Sequence, residues 1–248
     1  MSYTCRQMTE IDKNVLNIAA SPVNSIDDVI AVFEAIENAL PESDGLRWFN
    51  WLYLTVTKSV GASVAAHHWN NPAWLARLDV VFASLYLAAL RQGLSASPTA
   101  PRCWQVMLNA RHDARLARIQ FATAGMNAHI DHDLCVAVVT TCQEMGLTPI
   151  HGSPLYADYT QVNQLLESLI DTAKQQLRIG LPGNVIPDLG KLEDRLAGFG
   201  IVAAREAAWT NAELLWHIQA LPGLGTRFVS GLDRAAALAG LGLLAPVF

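Results

Sequence analysis

Residues 119–139 place a short polar run inside an otherwise apolar segment, and that pattern dictates where the segment must sit. Ile119-Gln120-Phe121-Ala122-Thr123-Ala124 precedes the run and Leu134-Cys135-Val136-Ala137-Val138-Val139 follows it. Between them stands Gly125-Met126-Asn127-Ala128-His129-Ile130-Asp131-His132-Asp133. A helix with apolar flanks of this kind is buried on most sides. Polar groups inside it are costly unless they are paired or ligated. Two histidines and two aspartates there call for a site, or for a network that satisfies all of them.

The rest of the chain is helical in pattern. Ser25-Ile26-Asp27-Asp28 is a capping box with Asp in place of the usual Glu, opening a helix to Leu40. Pro41 to Gly45 breaks the chain, and Asp44 is placed to cap a helix to about Ala66. Asn71-Pro72 reads as an N-cap followed by an N1 proline, opening a helix to about Gln92. After the Gly93–Pro101 loop, a short helix is expected from Trp104 to Ala110. Asp113 is placed to cap the long helix of the central run, which ends near Gly146. Further helices are expected from Ser153 or Pro154 to about Arg178, from Leu192 to Ala220 with breaks at Gly198 and Gly200, and from about Arg227 to Leu244. A Gly/Pro loop spans Gly180 to Gly190. Alternating β-branched runs and internal repeats are absent. The fold class expected is all-α: an N-terminal extension over 1–24, then a single-domain bundle of about eight helices over 25–248, around a buried polar pocket.

Composition narrows function. Hydrophobic residues make up 52% of the 248 and charged residues 16%, against the usual charged share of about 25%. The interior is therefore large. A net charge of −5, with no Lys/Arg-rich run interleaved with aromatics, argues against a nucleic-acid partner. The N-terminus lacks a signal-type apolar core, and no uninterrupted run of about 18 apolar residues suggests a membrane span. A soluble, cytoplasmic protein is expected. Cys5, Cys103, Cys135 and Cys142 form no C-x-x-C pair and read as buried free thiols. G-x-S-x-G, Walker and H-E-x-x-H patterns are absent, and no nucleotide cofactor is expected.

Within the central run, His129 and Asp133 stack at i, i+4, with His132 beside them. Ala122 and Gly125 on the same face leave room for a ligand or another helix. Asn127 and Asp131 fall on nearly the opposite face, with Gln120. Imidazole and carboxylate at this spacing suit a divalent metal (Zn, Mn or Fe), for which Asp79 is the expected third ligand. Asp79 shares an inward face with Leu75, Phe82 and Tyr86, and a second inward stripe is Asn50, Tyr53 and Thr57. The alternatives are a metal-free acid/base site of His129 with Asp79 or Asp133, and a structural network tying helices together. Tyr156, Tyr159 and Asn163 share a face, with Asp158 placed to cap or to enter the pocket. Arg111, Arg115 and Arg118 read as a solvated stripe. Arg205, Trp209, Glu213 and Trp216 read as a packed seam, and His67-His68 as a cationic helix end.

With these residues in view, the chain resembles a family catalogued as a domain of unknown function, number 5995. The segments that carry the likeness are Ser25–Val29, Phe49–Thr57, Leu78–Ala83, Ile119–Ala122, Gly125–Leu134, Ala157–Tyr159 with Asn163, Ala204–Trp209 and Leu232–Arg234. The resemblance implies a shared site of Asn50, Tyr53, Asp79, Gln120, Asn127, His129 and Asp133. Where the family often has Asn, this chain has Asp131. The function expected is a small-molecule enzyme with His129, Asp133, Asp79 and His132 as catalytic residues. Asn50, Tyr53, Gln120, Asn127, Tyr86 and Asp158 are expected to line the substrate site. Hydrolysis of a mostly apolar organic substrate is the default, metal-assisted or by acid/base chemistry. A cyclase, lyase or isomerase uses the same groups, and a non-catalytic binder of a lipid or apolar metabolite is the alternative from another class.

Overall fold

The computed structural model describes residues 8–66, 69–177 and 200–246. The protein is an all-α single-domain bundle, with no strand among the described residues. Its helices are α1 (Glu10–Ala19), α2 (Ile26–Ala39), α3 (Gly45–Ala66), α4 (Pro72–Gly93), α5 (Arg102–Ala110), α6 (Arg118–Ala128), α7 (Leu134–Glu144), α8 (Pro154–Leu177), α9 (Ile201–Ile218) and α10 (Leu224–Leu243). A single π turn, His129–Asp133, joins α6 to α7.

Local chemistry explains most helix starts. Ser25 Oγ accepts from the Asp28 amide, and Asp28 Oδ2 accepts from the Ser25 amide, closing the capping box. Asn71 Oδ1 accepts from the Trp74 amide, with Pro72 at N1. Asp44 Oδ1 accepts from the Leu46 amide at the head of α3. The long central helix departs from expectation. Asp113 folds back onto the Arg115 amide and guanidinium, so residues 111–117 form turns and α6 starts at Arg118. There Gln120 Oε1 accepts from the Ala117 amide.

The segment expected as an N-terminal extension contains α1. Val15 and Ala19 of α1 are buried. Arg111, only 1% exposed, bonds Asp12 at 2.6 Å and pairs with Asp44 at 3.0 Å. The Arg111–Arg115–Arg118 stripe is thus not a solvated face: Arg111 is buried, and Arg118 lies over the Trp48 ring at 4.0 Å. Cys5, His67-His68, the helix end at Arg178, the Gly180–Gly190 loop, the helix start at Leu192 and Gly198 lie outside the described residues. Cys103, Cys135 and Cys142 are buried free thiols.

Two apolar clusters make the core. One gathers α1, α2, α5, α6 and the first part of α3. The other gathers α7, α8 and α9, and both draw on α4. Phe82 and Met126 pack against both, and the π turn lies between them. Among the described residues α4 alone is long and apolar enough to cross a membrane, but 61% of its most apolar window is buried within the fold, as in a core helix.

Candidate functional site

Residues 118–125 and 127–130 are all buried, so the central segment is enclosed as its apolar flanks require. Two chain approaches define its surroundings. On one side α3 comes close at Gly125, where an added Cβ would lie 2.3 Å from the Phe49 ring. The space left by small residues is therefore filled by Phe49. On the other side α10 docks: Asn127 Nδ2 donates to the Ala236 carbonyl at 2.7 Å, and Gln120 Nε2 donates to the Leu243 and Ala245 carbonyls. Gln120 and Asn127, expected at the substrate site, tie α6 to α10.

At the π turn, Asp133 collects three partners. Its Oδ2 accepts from Trp104 Nε1 at 2.9 Å and meets His129 Nδ1 at 2.9 Å, and its Oδ1 meets His132 Nδ1 at 2.6 Å. Burial pushes the Asp133 carboxyl up, but its hydrogen bonds to the two histidines outweigh that and hold it below the usual carboxylate range. An anionic Asp133 takes a proton donor at His129 Nδ1, so neutral His129 carries its proton there and presents a lone pair at Nε2. Burial lowers the His129 pKa more than Asp133 raises it, which keeps the ring neutral. For His132, burial also disfavours the cation, but Asp133 and the Asp233 charge outweigh it and raise its pKa.

An aromatic cage surrounds the His129 ring. Phe82 stacks on it, and Tyr53, Phe49, Trp104 and Tyr86 present edges at centroid distances of 4.7, 5.8, 5.8 and 6.2 Å. His129 Nε2, Tyr53 Oη and Asp79 Oδ2 are buried with no protein hydrogen-bond partner. Burial raises the Asp79 pKa to about 7. Burial, then the Asp79 and Asp133 charges, pushes the Tyr53 phenol well up. Asp79, Asp133 and the His129 ring thus all bear on Tyr53.

Tyr86 links this cluster to Asn50, and the other expected residues lie farther off. Asn50 Nδ2 donates to the Phe33 carbonyl and to Glu37, and Tyr86 Oη donates to Asn50 Oδ1 at 3.4 Å. That pair forms an adjoining network anchored by Arg47 on Glu37 at 3.0 Å. Asp158 does not enter the pocket: it caps the α3–α4 junction, accepting from the Asn70 and Asn71 amides. Arg205 lies over the Tyr159 ring at 4.2 Å and donates to Asn163 and to the Tyr159 carbonyl. The expected metal set does not assemble. Both Asp133 oxygens are engaged, and among the described residues no three His, Cys, Asp or Glu side chains gather as ligands.

Trp104 is the site residue the sequence reading missed. It stands 29 positions from Asp133 on a separate helix, and no spacing pattern in the sequence links the two.

The family model described as "Family of unknown function (DUF5995)" matches residues 26–246. The chain belongs to the DUF5995 family. This member's α1 lies outside the matched span, while the whole His129 site lies within it. No curated protein and no solved structure matches the chain.

Proposed function

We propose that this DUF5995 protein is an enzyme that transfers protons to and from a neutral, mostly apolar small molecule at His129. One observation carries the reading: His129 Nε2, Tyr53 Oη and Asp79 Oδ2 are polar, buried and without a protein partner, with Tyr53 against the His129 ring and Asp79 bearing on Tyr53. Unmade hydrogen bonds in a core cost about 1–3 kcal/mol each. A chain that keeps several together gains nothing in stability from them, and a ligand is the natural partner.

The roles follow from protonation state. Neutral His129 accepts a proton at Nε2, and Asp133 with Trp104 fixes the ring and stabilises the imidazolium that results. Asp79, with a pKa near 7, supplies a proton in its acid form. Tyr53, a neutral phenol, donates a hydrogen bond to a carbonyl or hydroxyl oxygen. In hydrolysis His129 takes the proton of the attacking water while Asp79 protonates the leaving oxygen. Acting on a carbon acid, the same pair gives elimination, cyclisation or isomerisation. Among the described residues no Arg or Lys pairs with His129, His132, Asp133, Asp79 or Tyr53, which favours an uncharged substrate over a phosphate or carboxylate. A metal-assisted route would need ligands beyond His129 Nε2, since the Asp133 oxygens are already engaged.

The test is a panel of neutral esters, lactones and enolisable ketones with apolar bodies, offered to the wild type and to His129→Gln and Asp79→Asn. Turnover that His129→Gln loses while keeping its circular dichroism and melting profile supports the enzyme. Binding of equal affinity without turnover makes the protein a carrier. Loss of fold in His129→Gln with no ligand found makes the cluster a structural network.

A further inference from the structure

Asp133 is one carboxylate between two imidazoles, 2.9 Å from His129 Nδ1 and 2.6 Å from His132 Nδ1. The two rings are not equivalent. The His129 side chain is 3% exposed and enclosed by aromatics, whereas that of His132 is 10% exposed. Asp233, from α10, bears on His132 and holds the Cys103 amide at the head of α5. The charged groups acting on His132 among the described residues are therefore Asp133 on its own turn and Asp233 on α10, with His129 its like-signed neighbour.

We infer that Asp133 joins the two histidines into a single proton-holding unit, with His132 as the outer terminal and His129 as the inner one. One negative charge cannot fully support two imidazolium rings, and like charges on both sides of a shared carboxylate repel. The outer ring, on which the Asp233 charge also acts and which is the more exposed of the two, takes the proton first. While His132 is cationic it compensates Asp133, and His129 is a weaker base. When His132 releases its proton, the full Asp133 charge acts on His129, and Nε2 binds a proton more tightly. His132 is thus a positioning residue that tunes the inner base from nearer the surface. Its use in catalysis rests on the function proposed above; the coupling itself does not.

The experiment is an NMR titration of the full-length protein with isotope-labelled histidine rings, following His129 and His132 in the wild type, His132→Gln and Asp233→Asn. Glutamine keeps a donor for Asp133 and carries no charge. The expected result is that both wild-type rings report shared inflections. In His132→Gln, His129 should show a single one, with proton affinity raised about tenfold, the scale at which two sites titrate as a pair. Asp233→Asn should lower the proton affinity of His132. Identical His129 titrations in the wild type and His132→Gln would overturn the coupling. Should His132→Gln fail to fold, the wild-type curves decide: shared inflections support the unit, and independent single inflections overturn it. Because no substrate enters this measurement, coupled rings in a protein without turnover would sink the enzyme reading alone.

Discussion

The His129 imidazole lies flat on the Phe82 ring, centroids 3.5 Å apart and planes 6° from parallel. Stacking at this distance closes one face of the base and disfavours rotation of its ring. Asp79 lies one turn before Phe82 on the same helix. In Phe82→Leu an apolar body remains but the stack is lost. Aromatic pairing contributes about 0.5–1.5 kcal/mol beyond burial. With the partly filled space added, a loss of roughly 1–2 kcal/mol is expected in urea denaturation. Unchanged stability would mean the stack contributes nothing.

Asp79 makes the fold sensitive to alkali. Burial raises its pKa from 3.8 to about 7, so the folded protein holds a proton that the unfolded chain has already released. The penalty on folding starts as pH rises above 3.8 and is complete above about 7. The full shift corresponds to something of the order of 4 kcal/mol. Asp79→Asn removes the charge, so its melting temperature relative to wild type should be higher at pH 8 than at pH 4. A difference between the two proteins that does not vary with pH would contradict the assignment.

Trp104→Phe keeps the aromatic body and deletes the indole donor to Asp133. A hydrogen bond to a charged group contributes about 1.5–3 kcal/mol, and a loss in that range is expected at pH 7. With one donor fewer, Asp133 should also bind protons more readily, so the variant should lose stability at a higher pH on acidification than the wild type. Superimposable acid-unfolding curves would argue against the bond.

Arg111 holds Asp12 and Asp44 together from a position 1% exposed. Arg111→Met leaves two buried carboxylates facing each other without their cation. Breaking a buried pair by removing one partner costs about 3–5 kcal/mol, and the melting temperature should fall sharply. A Met variant as stable as the wild type would mean the two acids take up protons at little cost.

Helix starts were legible wherever their chemistry is local: Ser25 with Asp28, Asn71 with Pro72, Asp44 with Leu46. The α1 start is written the same way, in Thr9 and Asp12, within the N-terminal extension. What local pattern did not carry is pairing across the fold. Residues 111–117 fit a helix by spacing, but buried Asp12 and Asp44 claim Arg111, and Asp113 turns back on Arg115. Gln120 and Asn127 were correctly set on one face, yet nothing in their spacing names the α10 carbonyls they meet. The π turn leaves no mark in sequence. His129, Asp133 and His132 could be found because polar residues in an apolar helix stand out. The contribution of Trp104 could not, since it arrives from another helix.

The most direct test of a buried base at His129 is its tautomer and charge at neutral pH, read from the nitrogen shifts of its labelled ring. A neutral imidazole with the proton on Nδ1 and a bare Nε2 is expected at pH 7. An imidazolium, or a neutral ring with its proton on Nε2, would contradict it, because neither leaves a lone pair on Nε2 inside the cage of Phe82, Tyr53 and Phe49.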